Sequence, residues 1–372
     1  MRFISVTQAE PGMKMGQTVL TEDGKVLLGL GVVLDERLIQ GLRKSGVDSI
    51  YIDDPHTEDI IVQDVIRPET RRKAVEAIQK AVKQITNSNK LTRRVSVKDM
   101  GLLFQKAFHE ILEDLMENPN VMIHLISISS TSGMMYHHSV NVAVMATAVG
   151  MSLGYNRQQL TELGIGAMLH DVGKVLLPPE MFEKTHRWNP NEIETAKMHT
   201  RLGFDLLRKQ HDLSLLTAHV AFQHHERLDG SGYPQGLSGS QIHEYAQIVG
   251  ICDVYDSLTT PRPWRKRFMP QDALEYLLGT GDTKFSLRLV DAFRKHIAVF
   301  PLGTSIVMNT GEVGVVCRVD PSIAHRPVVR ILKDGRGNDI SMPYELDLRQ
   351  DLKAFIAGFE DESLFTVSGF GK

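Results

Sequence analysis

Seven side chains of metal-ligand type, His138, His170, Asp171, His199, His224, His225 and Asp253, fall where helical periodicity turns them toward apolar neighbours. Leu163, Ala167, His170, Asp171 and Lys174 recur at helical spacing, and His138 lines up with Val142, Met145 and Val149. His199 shares a stripe with Ala196, Gly203 and Leu206, while His224 and His225 end a face built from Leu213, Leu216, Val220 and Ala221. Asp253 continues the line of Ile242, Ala246 and Val249. A carboxylate on such a face costs on the order of several kcal/mol unless a cation meets it. Five imidazoles and two carboxylates exceed the four ligands of one structural zinc, and no thiolate accompanies them. They suit two neighbouring divalent transition-metal ions, Fe or Mn at least as well as Zn, with a carboxylate able to bridge them. Such a pair lowers the pKa of a water and neutralises phosphoryl oxygens, the two tasks of phosphodiester hydrolysis. Taken alone, His170-Asp171 reads more readily as a satisfied buried pair; seven candidates on inward faces reverse that reading. His137 lies roughly 100° around the helix from His138 and is expected outside the ligand set, in contact with it or exposed.

The elements that must position these groups form one stretch, helical almost throughout, from Val121 to about Val299. Asn189-Pro190-Asn191-Glu192 is a specific start signal, an N-cap Asn with Pro next and Glu three residues on, for a helix running to about Arg208 that carries His199. Ahead of it, residues 1–62 alternate short β-type runs (Val26-Leu27-Leu28, Ile50-Tyr51-Ile52) with turns and one helix near Asp35 to Ser45, a small α/β module. Residues 63–120 read as a helical connector with a weak break at Asn87-Ser88-Asn89, suited equally to a solvated linker and to a homodimer contact. After Phe300-Pro301-Leu302-Gly303, Val and Ile runs with turns at Thr310-Gly311 and Asp334-Gly335 predict a small β-rich appendage over 301–372. The expected fold is mainly α, an all-helical core over 121–300 flanked by these two small units.

Composition narrows the partners. The 372 residues carry a net charge of -3, so no global basic field attracts a nucleic-acid polymer and any anion site must be local. Both cysteines, Cys252 and Cys317, sit in apolar runs, which suits a reducing compartment. An apolar leader with a cleavage site and an uncharged run of about 18 residues are both missing, so the expectation is a cytoplasmic protein without a membrane partner.

His170-Asp171 with Gly173-Lys174, then His224-His225-Glu226-Arg227-Leu228-Asp229-Gly230-Ser231-Gly232-Tyr233-Pro234, then Asp253-Val254-Tyr255-Asp256-Ser257-Leu258-Thr259 and Arg262-Pro263-Trp264-Arg265 resemble the HD-GYP family in unbroken motif order over about 120–300. The resemblance implies a helical HD-type core that hydrolyses cyclic di-GMP to linear pGpG and, in some members, on to GMP. It implies that His138, His170, Asp171 and Asp253 surround one ion, that Asp171 bridges to a second held by His199, His224 and His225, and that Lys174 meets a phosphate. Tyr233 matches the family's substrate-shaping residue, and Arg262 and Arg265 match basic positions facing ligand phosphates. By pattern alone, Tyr233 also fits a tight loop and the Arg262 to Arg267 run a solvated face. Members with three metals carry a carboxylate one turn before the first histidine; here that residue is Met134, a poor ligand for hard cations, so two ions are expected. Pro261 stands where an acidic residue is common. Two rivals differ in function: a phosphohydrolase for another cyclic dinucleotide or nucleotide, and a non-catalytic cyclic di-GMP receptor.

Overall fold

The computed structural model describes residues 1–21, 26–62, 64–91, 99–117, 123, 134–181, 186–262, 264–361 and 365. The chain begins with β1 (Arg2–Ser5), β2 (Lys14–Met15), β3 (Val19–Leu20), β4 (Val26–Leu28), α1 (Glu36–Lys44) and β5 (Ser49–Asp53). β5 lies between β1 and β2, antiparallel to both, and β3 pairs with β4. Asp35 caps α1 by accepting from the Leu38 amide, and the apolar side of the helix, Ile39 and Leu42, closes over Ile4, Met15, Ile50 and Ile52. These first residues thereby own a small hydrophobic core, while Phe3 and Tyr51 of the same sheet join the larger core that fills the rest of the molecule.

The helices follow as α2 (Pro68–Leu91), α3 (Met100–Glu117), α4 (Met134–Ser152), α5 (Arg157–Leu169), α6 (Pro190–Leu207), α7 (Leu215–Gln223), α8 (Glu244–Thr259), α9 (Pro270–Gly279) and α10 (Leu287–Arg294). The break expected at Asn87-Ser88-Asn89 does not occur there, because α2 continues through it to Leu91. Three polar residues lower helix propensity by only a few tenths of a kcal/mol each, roughly, and Pro, the residue that does stop a helix, is missing from this stretch. α4 is central: Val140 to Val149 are buried on every side, since α5, α8 and α10 pack around it together with α2 and α3. α5 and α6 begin with reciprocal capping boxes, Asn156 with Gln159 and Asn189 with Glu192, the second where the sequence signal placed it.

A five-stranded antiparallel sheet follows, β6 (Ser305–Met308), β7 (Val313–Arg318), β8 (Val328–Lys333), β9 (Asp339–Asp347) and β10 (Ile356–Phe359), in the order β10-β6-β7-β8-β9. Gly311 takes positive φ at the β6-β7 turn. In the β8-β9 turn the left-handed residue is Gly337, while the Asp334 carboxylate accepts from the Arg336 and Asn338 amides. The sheet, the helices and the N-terminal module touch through specific bonds. The Phe3 amide donates to Gly303 O at 2.8 Å, and Arg267, nearly buried, donates to both Asp48 carboxylate oxygens at 2.7 and 2.8 Å.

One expectation is corrected in a way that matters for chemistry. α5 ends at Leu169, His170 is its C-cap, and Val172–Leu176 is a 3-10 turn, so Asp171 and Lys174 leave the α-helical face on which spacing placed them. The turn presses on α6: a Cβ on Gly173 would lie 1.9 Å from His199 O and 2.6 Å from Gly203 N, both rigid backbone. Gly173→Ala is therefore expected to destabilise the metal-free protein by about 2 kcal/mol or more in urea unfolding. Gly41→Ala, inside α1 with nothing within 4 Å of its Cβ, serves as the control and is expected to stabilise by up to about 1 kcal/mol. Equal midpoints for the two variants would disprove the close approach.

Candidate metal centre

The seven candidate ligands converge. His138 comes from α4, His170 and Asp171 from the end of α5, and His199 from the middle of α6. His224 and His225 follow α7, and Asp253 lies in α8. Asp171 is at the middle. Its Oδ1 lies 3.3 Å from His199 Nε2 and 3.8 Å from His224 Nε2, and its Oδ2 lies 3.4 Å from His170 Nε2 and 3.8 Å from His138 Nε2. Asp253 faces it, with Oδ1 3.1 Å from His138 Nε2 and Oδ2 3.8 Å from His225 Nδ1. Two groups have ligand atoms all within 4.8 Å of one another, His138-His170-Asp171 and Asp171-His199-His224-His225, and Asp171 belongs to both.

Local structure aims the rings. His170 Nδ1 is 2.7 Å from Ala167 O, His199 Nδ1 is 2.6 Å from Ala196 O, and His224 Nδ1 is 3.0 Å from Ala221 O. Each ring thus donates Nδ1–H to a carbonyl one helical turn back, which leaves the Nε2 lone pair pointing into the cluster. Burial holds His170 and His199 below the ordinary imidazole range and His224 and His225 well below it, so these four rings are neutral, the form that ligates. His138 differs: burial lowers it, but hydrogen bonds to Asp253 and Asp256 outweigh burial and raise it to about 9. Asp171 and Asp253 are buried, which alone would raise them, yet Lys174 and the nearby rings hold Asp171, and the His138 hydrogen bond with the neighbouring rings holds Asp253, well below the usual carboxylate range.

The donor set fits divalent metal. His170 Nε2 and Asp171 Oδ1 are buried without a hydrogen-bond partner, and both face the shared space. Unpartnered buried polar atoms are rare in folded proteins, and here the groups present, neutral imidazoles around carboxylates, are those a cation satisfies. Lys174 Nζ contacts Asp171 Oδ2 from the side of the 3-10 turn.

Around this cluster stand the other sequence candidates. The Tyr233 ring stacks on His225, centroids 4.6 Å apart and planes 25° apart, and Lys197 Nζ sits 5.5 Å from the Tyr233 centroid. The loop that presents Tyr233 is held by buried Glu226, whose carboxylate accepts from the Gln235 and Leu237 amides at 2.8 and 2.9 Å. Gly232 permits it, because a Cβ there would lie 2.4 Å from Glu226 Cα. Arg262 and Arg265 exchange backbone hydrogen bonds. The Arg265 guanidinium donates to Leu258 O and Ser257 O and lies over Phe268, so this side chain is anchored to the end of α8. His137 is buried, which corrects the exposed alternative; burial and the nearby Arg71 guanidinium push it down to about 4. Sequence reading missed Asp256, 2.7 Å from His138 Nδ1, although its spacing of three from Asp253 places both on one face of α8.

Asp256 orients His138 and raises the basicity of its inward nitrogen, as carboxylates behind metal-bound histidines do. Asp256→Asn is expected to weaken divalent-ion affinity about 10- to 100-fold by competition against a chromogenic chelator, with the fold retained by circular dichroism. Unchanged affinity would remove Asp256 from the site.

Residues 120–288 match the HD domain model and residues 305–365 the KOW domain associated with HD domain. A cyclic di-GMP phosphodiesterase of Pseudomonas aeruginosa is 29% identical over 68% of this chain and 61% of its own length. A cyclic di-GMP phosphodiesterase response regulator of Xanthomonas campestris is 36% identical over 40% of this chain and 39% of its own. A 3'3'-cGAMP-specific phosphodiesterase of Vibrio cholerae is 32% identical over 41% and 35%. The chain thus spans less than two thirds of the length of each of these relatives. Among solved structures, an HDG"Y"P protein from Bdellovibrio bacteriovorus aligns over 78% of this chain and 97% of its own at 18% identity and a TM-score of 0.45. Residues 120–288 of this chain thus match the HD domain and carry the HD-GYP motif order, and residues 305–365 match the KOW domain associated with it.

Proposed function

We propose that this chain is a metal-dependent phosphodiesterase that hydrolyses cyclic di-GMP to pGpG, with a second hydrolysis to GMP where the linear product re-enters the site. The observation that carries the reading is the sharing of one buried carboxylate, Asp171, between two ligand groups, beside the Tyr233 ring stacked on His225. The relatives named as cyclic di-GMP phosphodiesterases support the substrate. His138, His170, Asp171 and Asp253 would hold one ion, and Asp171, His199, His224 and His225 the other. Mixed nitrogen and oxygen donors without thiolate favour Fe or Mn. Met134, where a third site needs a carboxylate, favours two ions. Bound there, the ions would neutralise phosphoryl charge and lower the pKa of a water.

The chain's own residues do the rest. Asp171 is kept ionised by Lys174 and the rings, so both of its oxygens are available to cations. Lys174, three residues on, supplies a positive charge that can move from the carboxylate to a phosphate oxygen once cations occupy the cluster. Tyr233, fixed by its stacking on His225, offers an aromatic wall for a guanine or ribose. Arg262 is the arginine suited to a second phosphate, and Arg265, tied to α8, holds the loop that carries it. A cytoplasmic location fits a substrate made and read inside the cell.

The Vibrio cholerae relatives named as 3'3'-cGAMP-specific favour a second reading in which the preferred substrate is that hybrid dinucleotide. Mn- or Fe-loaded protein is expected to convert cyclic di-GMP to pGpG or GMP on chromatography, faster than it converts 3'3'-cGAMP. The reverse order establishes the second reading, and no product from either sinks both. Asp171→Ala is expected to lose at least about 1,000-fold in rate together with bound metal by elemental analysis. Retention of metal and rate would refute Asp171 as the shared ligand.

A further inference from the structure

The hydrogen-bond chain behind His138 does not end inside the matched HD domain. Asp256 Oδ2 faces His138 Nδ1 at 2.7 Å, and its other oxygen, Oδ1, accepts from Asn141 Nδ2 at 3.0 Å. Asn141 Oδ1 in turn accepts from Arg71 Nη1 at 2.8 Å. Arg71 lies in α2, well before residue 120 where the HD domain match begins. The remaining fork of the guanidinium, Nε and Nη2, grips both oxygens of Asp64 at 2.6 and 2.9 Å. Asp64 precedes α2, on the segment that joins the N-terminal module to the helices.

Three features make this a directed chain. The amide of Asn141 can face only one way, since a flip would set its NH2 against the guanidinium and its oxygen against the Asp256 carboxylate. Asn141 and Asp256 are each 3% exposed, so water does not compete for their bonds. Arg71 uses three nitrogens on two partners in one plane, which a lysine ammonium cannot reproduce. Neighbouring Arg72 instead faces solvent and, among the described residues, pairs with Glu76 one turn on.

We propose that Arg71 is a positioning residue for the metal centre: through Asn141 it fixes the Asp256 carboxylate that orients His138, and through Asp64 it links the placement of the N-terminal module to metal affinity. The proposal rests on the reading of the seven-residue cluster as a metal site. A shift of the Asp64 segment would pull Arg71 from Asn141 and leave Asp256 free to rotate away from the His138 ring. The chemistry at the phosphodiester is untouched; what changes is the geometry and basicity of one ligand.

Chelator-stripped full-length protein titrated with Mn(II) by calorimetry tests this. Arg71→Met is expected to weaken Mn(II) binding about 10-fold, Arg71→Lys by nearly as much, and Arg72→Met not at all. Because the residues act in series, Arg71→Met combined with Asp256→Asn should bind no more than about twofold weaker than Asp256→Asn alone. Thermal unfolding of the metal-free variants separates loss of fold from loss of affinity. Where Arg71→Met does not fold, Asp64→Asn, altered only at the exposed end of the chain, carries the test with a smaller loss of the same sign. If wild type binds no Mn(II), the metal reading fails and takes this proposal with it. If wild type binds but Arg71→Met and Asp64→Asn bind equally well, or if the losses of the double variant multiply, the metal site stands and the coupling is overturned.

Discussion

A carboxylate buried among imidazoles organises this molecule. Asp171 is 2% exposed and ionised, a state that in a low-dielectric interior requires positive charge close by. Five helices, α4 to α8, deliver the surrounding groups, with Lys174 and His138 the positively charged ones beside it. The central position of α4 follows from the same requirement. It must present His138 while burying apolar residues in every other direction, hence a run such as Val140 to Val149 with almost no polar face.

The site is made rigid by main-chain acceptors more than by side chains. Three of the five rings are tied to carbonyls of their own helices, one turn back. This needs no partner from elsewhere in the sequence, so each helix arrives with its ligand already oriented. His138 departs from the pattern, using Asp256 in place of a carbonyl, and it is through this exception that the surroundings reach the centre. A carboxylate can rotate and be pulled by other donors, whereas a helical carbonyl cannot.

The flanking units are joined to the helices by apolar as well as charged contacts: Phe3, Tyr51, Ile60 and Val62, and Val315, Val329 and Phe359 of the sheet, belong to the main hydrophobic core. Arg267 meets Asp48, just before β5, while Arg330 of β8 ties the sheet to Asp59 of the N-terminal part and to Glu345 of β9. The N-terminal module retains its own small core of Ile39, Leu42, Ile50 and neighbours.

Sequence alone determined the ligand types, their order and the helices that bear them. Each depends on local rules: the capping box at Asn189 starts α6, and apolar stripes turn His138 and His199 inward. The mainly helical fold and the β character after residue 301 were legible for the same reason. Periodicity failed where the chain leaves a regular helix, at His170 to Lys174, because a 3-10 turn forced by close approach to α6 is set by a neighbour distant in sequence. It also overread Asn87 to Asn89 as a break, since α2 is sustained by packing against α3 and α4 rather than by propensity. Tertiary structure decided that Arg265 is anchored to carbonyls and that Arg71 reaches Asp256 across 185 positions of chain. Such pairings depend on the angles at which helices cross, and no local pattern of residues encodes those.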